Sequence, residues 1–530
     1  MKRLPLDTSS FRQIRERDLL YVDKTRWIYR MIDEGICYFL SRPRRFGKSL
    51  TINTLKELFR GNRELFRGLW IEDRWEFKEY PIFLFDFNGI NNQRPDILKS
   101  DLRSSIEDNL KRYGIGLSKG SDKSIDRLFS EAIDKAYEAL SNPVVVLVDE
   151  YDKPILDHLG QGDEELKVSM ENRKVLKSFF GVLKEKRVVD LLKFVFVTGV
   201  SRFTKVSIFS EWNNLQDISM EPEYADFLGY SEDEILRYFP DYLERLCKDK
   251  ALSMDKCMER IRYWYNGYRF SVERDSHVYN PISLMYCLRY GEFKNYWFRT
   301  GTPTFLINLL KDRFYYIPDL EGVEYPISVF DAFELEHLPI ESLLYQSGYL
   351  TIKDSVGENI SLGYPNQEVK ISFHEVLLKY LYDAEYHVYS FGRMLGEALR
   401  EEKLEEVKGL INGIFSSIPY SVYPMADESE RIKEYYYHTI MYLSLSLLGY
   451  DARTELLSSK GRLDMAVIYR DKVYVMEFKV GKGAEDAISQ IKQKGYADRF
   501  IAEGKRVILC GISFNEKDKK IEDIRFEDCY

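Results

Sequence analysis

The chain has 530 residues, 45% of them hydrophobic and 31% charged, with 77 Lys and Arg against 86 Asp and Glu for a formal net charge of −9. That length calls for roughly two to four domains with cores of their own. The acidic balance excludes a surface coated in positive potential, so nucleic acid would have to be met by a local patch or by a metal site that is itself acidic.

The six cysteines include no C-x-x-C pair, which argues against a disulfide framework and against a thiolate metal site. Met1 to Asp7 lacks the apolar run of a signal peptide, and no stretch approaches the roughly 18 uncharged residues of a membrane helix. A cytoplasmic protein with no membrane partner is expected. The 39 Tyr and 32 Phe fit aromatic cores and subunit contacts as well as they fit base stacking.

In chain order, residues 14–35 alternate apolar and charged positions at helical spacing, with Tyr21 to Thr25 as a turn. An apolar run, Ile36 to Leu40, then leads through Ser41-Arg42-Pro43-Arg44-Arg45-Phe46-Gly47-Lys48-Ser49-Leu50 into a helical stretch from Thr51 to Phe59. Strand, loop and helix in that order build a phosphate-binding loop: amide groups of Arg45 to Leu50 at the helix start receive phosphate oxygens, Lys48 reaches the β- and γ-phosphates, and Ser49 ligates Mg²⁺. Arg42 stands where the usual G-x-x-x-x-G-K-[ST] pattern has its first glycine.

A second strand reads at Ile82 to Phe87, followed by helical material from Asp96 to Leu140. Val144 to Val148 is a continuous apolar run ending in Asp149-Glu150. It fits a central parallel strand whose carboxylates sit where such sheets place ligands. This is a Walker B signature, with Asp149 on the Mg²⁺ and Glu150 orienting and deprotonating the attacking water. Phe194 to Val200 is another buried strand. Thr198 or Ser201 is the candidate γ-phosphate sensor there, and Arg202 the candidate for transition-state charge; a plain salt bridge is the competing reading of Arg202. Helical segments around 232–239 and 255–265 make a small lid. The aromatic stretches Trp264 to Phe270 and Tyr296 to Phe298 read as packing between domains, and the chain to about residue 380 as a connecting region.

Near the C-terminus, Gly461 to Tyr469 and Val473 to Val480 are alternating strands joined as a hairpin. Period-two spacing puts Glu477 and Lys479 on one face, with Asp464 opposite on the neighbouring strand. Two carboxylates suit a hard Mg²⁺ ion, Mn²⁺ being the other candidate, and Lys479 positions water or stabilises developing charge.

Asp464 with Glu477-x-Lys479 resembles the core of the PD-(D/E)xK nuclease superfamily. That resemblance makes Glu455, Gln490 and Tyr496 auxiliary residues. Together with the Ser41 to Ser49 loop, Val148-Asp149-Glu150-Tyr151-Asp152-Lys153-Pro154, Thr198 to Phe203, Trp264 to Tyr268 and Tyr296-Trp297, it makes nearly the whole chain similar to prokaryotic proteins that join an AAA-ATPase-like domain to such a nuclease domain. The resemblance implies an α/β fold: a P-loop NTPase parallel sheet with lid over residues 1–270, a connecting domain over 271–380, and a PD-(D/E)xK-like α/β domain over 381–530. It also implies ATP and Mg²⁺ as cofactors, nucleic acid (DNA ahead of RNA) as partner, and a setting in mobile-element or defence biology. Arg44, Arg45 or Arg202 could serve a neighbour's γ-phosphate in a homo-oligomer. The competing readings are an ATP-dependent switch whose nuclease fold only holds nucleic acid, and an inert scaffold.

Overall fold

Strand β1, Cys37–Ser41, is buried at every position, and so is β3, Val144–Asp149. Strands that alternate would leave one face wet, whereas these runs require cover on both faces, and a parallel sheet supplies it. With β2 (Ile82–Asp86), β4 (Leu192–Gly199) and β5 (Gln216–Asp217) they form a five-stranded parallel sheet in the order β2-β3-β4-β1-β5. Val144 to Val148 are each fully buried, and each contributes about 1.5–3 kcal/mol. The register Asp86↔Asp149 and Ser41↔Gly199 brings the ends of these strands level, so the loops that follow β1 and β3 open at one edge of the sheet.

The computed structural model describes residues 1–117, 123–202, 208–209, 212–297, 304–312, 315–331, 339–380, 382–383, 387–419, 430–447, 450–458, 461–515 and 520–529. They divide into two compact units, Met1–Leu306 with Gly322–Val369, and Ile307–Glu321 with Lys370–Tyr530.

In the first unit, helices Glu232–Tyr238, Pro240–Lys250, Met254–Tyr265 and Pro281–Tyr290 follow the parallel sheet. They share a core of Ile235, Phe239, Leu243, Ile261, Tyr265 and Leu284 with Leu4, Leu20 and Val22 from the chain start. The helices expected as a lid therefore share their core with residues that precede β1. Three short strands, β6 (Glu324–Pro326), β7 (Thr351–Val356) and β8 (Asn359–Gly363), form an antiparallel sheet in the order β6-β8-β7.

The second unit carries β9 (Asp451–Ser458), β10 (Gly461–Tyr469), β11 (Lys472–Val480), β12 (Arg506–Asn515) and β13 (Lys520–Cys529) in the order β13-β12-β11-β10-β9. The expected hairpin is β10–β11, antiparallel from Met465↔Met476 to Tyr469↔Lys472, and its turn residue Arg470 takes a left-handed φ of 54°. β11 pairs parallel with β12, the crossover being made by the Ala484–Lys494 helix, whose Ile488 and Ile491 pack on Val475 and Leu509. Among the described residues no helix is long and apolar enough to cross a membrane.

Candidate nucleotide and metal sites

The loop after β1 is turned into its helix, Lys48–Phe59, by two left-handed residues, Arg45 at φ 70° and Gly47 at φ 95°. Gly47 is needed for that conformation alone, since a side chain there would meet nothing within 4 Å. Arg42 explains how the loop holds its shape without the usual first glycine. Its guanidinium is buried, donates to the carbonyls of Ser41 (3.0 Å), Ser219 (2.5 Å) and Tyr224 (3.1 Å), and lies 4.2 Å from the Phe270 ring centre. Burial pulls its pKa down to about 10, so it remains a cation at neutral pH. The loop is thus pinned to the chain that follows β5. Phe46 is buried edge-on against Tyr268 (4.8 Å) and Phe270 (5.3 Å), which gives the Trp264 to Phe270 stretch its role as the floor of the loop.

Lys48 is buried and donates to the carbonyls of Arg42 (2.9 Å) and Pro43 (3.0 Å), and its removal from water lowers its pKa. Asp149, at the end of β3, is 4% exposed. Burial raises its pKa to about 6, opposed by a hydrogen bond from the Ser49 hydroxyl, and its Oδ1 has no hydrogen-bond partner. A buried carboxylate oxygen without a donor, beside a serine hydroxyl, fits a hard divalent cation. Glu150 follows in a left-handed conformation, φ 51°.

Lys48, Ser49 and Glu150 border a cavity of about 560 Å³. Arg45, Phe46, Gly47, Lys48, Ser49 and Leu50 all line it, with Glu150, Asn88 and Lys153 and an apolar wall that includes Leu20, Ile28, Phe227, Leu228 and Met285. A polar, cationic mouth joined to an apolar wall is the division a nucleotide presents, phosphates against base.

Four expected residues, Asp149, Thr198, Ser201 and Arg202, are not among those that line the cavity. Thr198 is fully buried, and its hydroxyl donates to the Leu40 carbonyl at 2.7 Å, tying β4 to β1. Arg202 pairs through Nε with Asp217 at 2.7 Å and borders a different, small cavity with Arg42 and Ser219. Ser201 donates its amide to Asp152 at 2.5 Å, and Tyr151 donates to its carbonyl at 2.9 Å. A side chain at Gly199 would run into Asp152 and Tyr151 at 2.4 and 2.7 Å, so the glycine there lets the chain after β3 pack on the end of β4.

In the second unit, β10 and β11 part just beyond Met465↔Met476. Asp464 Oδ2 accepts the Phe478 amide at 2.8 Å. Glu477 is 1% exposed; its Oε1 accepts from Lys479 Nζ at 3.0 Å and from Gln490 Nε2, and its Oε2 has no hydrogen-bond partner. Burial, then the Asp464 charge, raises the Glu477 pKa to about 8. Burial pulls the Lys479 pKa down, but the neighbouring Glu477 and Asp464 carboxylates together outweigh it, so its pKa is raised. Among the described residues no three His, Cys, Asp or Glu side chains are gathered as a ready metal cluster. The unpartnered Glu477 oxygen beside Asp464 nevertheless fits one cation, whose remaining ligands would be backbone and water.

The family model "Predicted AAA-ATPase" matches residues 5–209, and the model "PD-(D/E)XK nuclease superfamily" matches 432–524. An "Uncharacterized protein in vnfD 5'region" from Azotobacter chroococcum mcd 1 is 38% identical over 531 residues, covering 98% of each chain. The chain belongs to this AAA-ATPase-like and PD-(D/E)XK nuclease family.

In this family member Asp464, Glu477, Lys479 and Gln490 come together as the sequence predicts. Tyr496 lies beside this cluster, and burial, then the Glu477 charge, raises its pKa. Glu455 lies on β9, where the flanking pairs Leu463↔Leu456 and Met465↔Thr454 put its position across from Asp464; its side chain lies outside the described residues. Sequence reasoning missed His438, on the Glu430–Ser446 helix. Its ring is buried, with Nε2 at 3.5 Å from Asp464 Oδ2, Nδ1 at 3.2 Å from the Tyr316 hydroxyl, and its centre 4.9 Å from that of Phe478. A lone histidine in an apolar helix carries no spacing signal, so only the fold could have found it.

Proposed function

We propose that the chain binds and hydrolyses ATP in its first unit and cleaves a phosphodiester, in DNA ahead of RNA, with Mg²⁺ in its second. In this reading residues 1–270 handle the nucleotide, 271–380 connect, and 381–530 carry the nuclease chemistry. The observation that carries it is the Asp464–Glu477–Lys479–Gln490 cluster at the parted end of β10–β11, with one buried carboxylate oxygen unpartnered. Asp464 and Glu477 would hold the cation, which supplies charge stabilisation and a more acidic bound water. Lys479 keeps a proton beside the site of attack and neutralises charge as it develops on the phosphate oxygens. Gln490 holds the Glu477 carboxylate in orientation. At the loop, Ser49 and Asp149 would hold Mg²⁺, Lys48 leaves its two carbonyls for phosphate oxygens, and Glu150 accepts the proton of the attacking water.

A second reading, a nucleotide-dependent switch whose nuclease fold only binds nucleic acid, is favoured by the Lys479–Glu477 hydrogen bond at 3.0 Å, which engages the lysine and one carboxyl oxygen. The two are separated by incubating purified protein with plasmid DNA, single-stranded DNA and RNA, with and without ATP and Mg²⁺ or Mn²⁺. Metal-dependent strand cleavage supports the first; retention of nucleic acid without cleavage under every condition supports the second. In an oligomer the exposed Arg44 is the arginine left to reach a neighbour, since Arg45 donates to the Tyr296 carbonyl at 3.1 Å and Arg202 is paired with Asp217. Light scattering with and without ATP tests that assembly.

A further inference from the structure

Transfer of a γ-phosphoryl group needs positive charge where charge gathers on the equatorial oxygens, and one lysine beneath the loop rarely supplies it alone. The strand beside β3 does not provide the second cation here, because neither Thr198 nor Arg202 lines the cavity. The cations that do line the cavity are Lys24, Arg44, Arg45, Lys48 and Lys153. Lys24 is held by the Asp226 carbonyl at 2.9 Å and by Glu234 at 2.7 Å, and Arg45 by the Tyr296 carbonyl. Arg44 is on the exposed side of the loop. Lys153 is paired as well, with Asp157, and what sets it apart is its place. It stands three residues after Glu150 on the same connection, lines the same cavity as Glu150, Gly47 and Ser49, and is steadied by Asp157 at 2.7 Å.

We propose that Lys153 is the residue that contacts the γ-phosphate, taking the place the sequence assigned to Thr198 or Arg202. The proposal rests on the nucleotide reading of this cavity. In hydrolysis the water oxygen forms a bond to the γ-phosphorus and the bond from that phosphorus to the β,γ-bridging oxygen breaks. ADP leaves with the electron pair, and Glu150 takes the proton of the attacking water. Lys153 stays protonated throughout and neutralises the γ-oxygens, with Asp157 limiting its side chain to a few rotamers.

The test is a comparison of affinities for ATP and for ADP, each with Mg²⁺, on the full chain. ADP lacks the group Lys153 is proposed to touch, so Lys153→Met should weaken ATP by about tenfold or more while ADP stays within about twofold, and should slow hydrolysis about a hundredfold. Lys153→Arg should recover part of the ATP preference, and Lys167→Met, at an exposed position on the next helix, should change neither affinity. Equal loss of ATP and ADP in Lys153→Met would make Lys153 a structural residue and overturn the proposal, and so would an unchanged ATP preference or its collapse in Arg202→Met instead. Wild-type protein that binds neither nucleotide would overturn the nucleotide reading itself, a result distinct from the failure of Lys153 alone.

Discussion

The two sites place a lysine and a buried carboxylate together in opposite ways. At the loop, Lys48 is parked on two backbone carbonyls and Asp149 keeps Oδ1 unpartnered, with a pKa of about 6. In the second unit Lys479 is bonded to Glu477 itself, whose pKa stands near 8. The loop cation can move to an incoming phosphate without breaking an ion pair. A cation entering the Glu477 site would displace a proton and loosen the lysine, so metal affinity there should go on rising to a higher pH than at the loop.

The largest expected effects come from removing groups no neighbour replaces. Asp464→Ala and Lys479→Ala should each lower cleavage by about a hundredfold or more while ATP affinity stays within about twofold. Lys492, exposed and paired with Glu527, is the control; its alanine variant should cleave within twofold of wild type. Gel-based cleavage rates and calorimetric ATP titration together read both sides. At the loop, Glu150→Gln should keep ATP binding and slow turnover by about a hundredfold, as measured by phosphate release.

How much of this was open to reading from residues alone depends on distance along the chain. The strands ending in Ser41, Asp149 and Val480 announce themselves because burial on both faces, or alternation across a hairpin, is written into consecutive residues. The loop, Asp149-Glu150 and the Asp464, Glu477 and Lys479 set are local patterns of that kind. What holds them is not local. Arg42 is a departure from the general loop pattern whose partners, Ser219 and Tyr224, lie far along the chain; the Asp217 beside Arg202 likewise lies outside any local motif. The apolar wall at Phe227, Leu228 and Met285 looks like ordinary helix and turn sequence, and His438 sits one chain position among many apolar ones.

A smaller effect sharpens the Arg42 argument. Arg42→Gly restores the common motif yet strips donors from the buried carbonyls of Ser219 and Tyr224, so it should destabilise the protein by about 2–4 kcal/mol and weaken nucleotide binding. A shift in urea midpoint with ATP titration measures both.

Smaller still is the pH dependence of the metal-free protein. Glu477 keeps its proton in the folded state up to about pH 8, against an ordinary value of 4.5. Its contribution to stability is therefore fully present below about pH 4.5 and is lost as the pH rises through 8. Glu477→Gln, which cannot ionise, should flatten that decline. Urea denaturation with chelator at pH 5 and pH 8 compares the two slopes.

The central claim, two chemically separate sites on one chain, is tested most directly by assaying wild type, Lys48→Ala and Glu477→Ala side by side for ATP binding and for Mg²⁺-dependent cleavage of plasmid DNA. Glu477→Ala should bind ATP like wild type and fail to cleave, and Lys48→Ala should lose ATP binding. Cleavage by Glu477→Ala at the wild-type rate, or loss of ATP binding in Glu477→Ala with none in Lys48→Ala, would contradict the account.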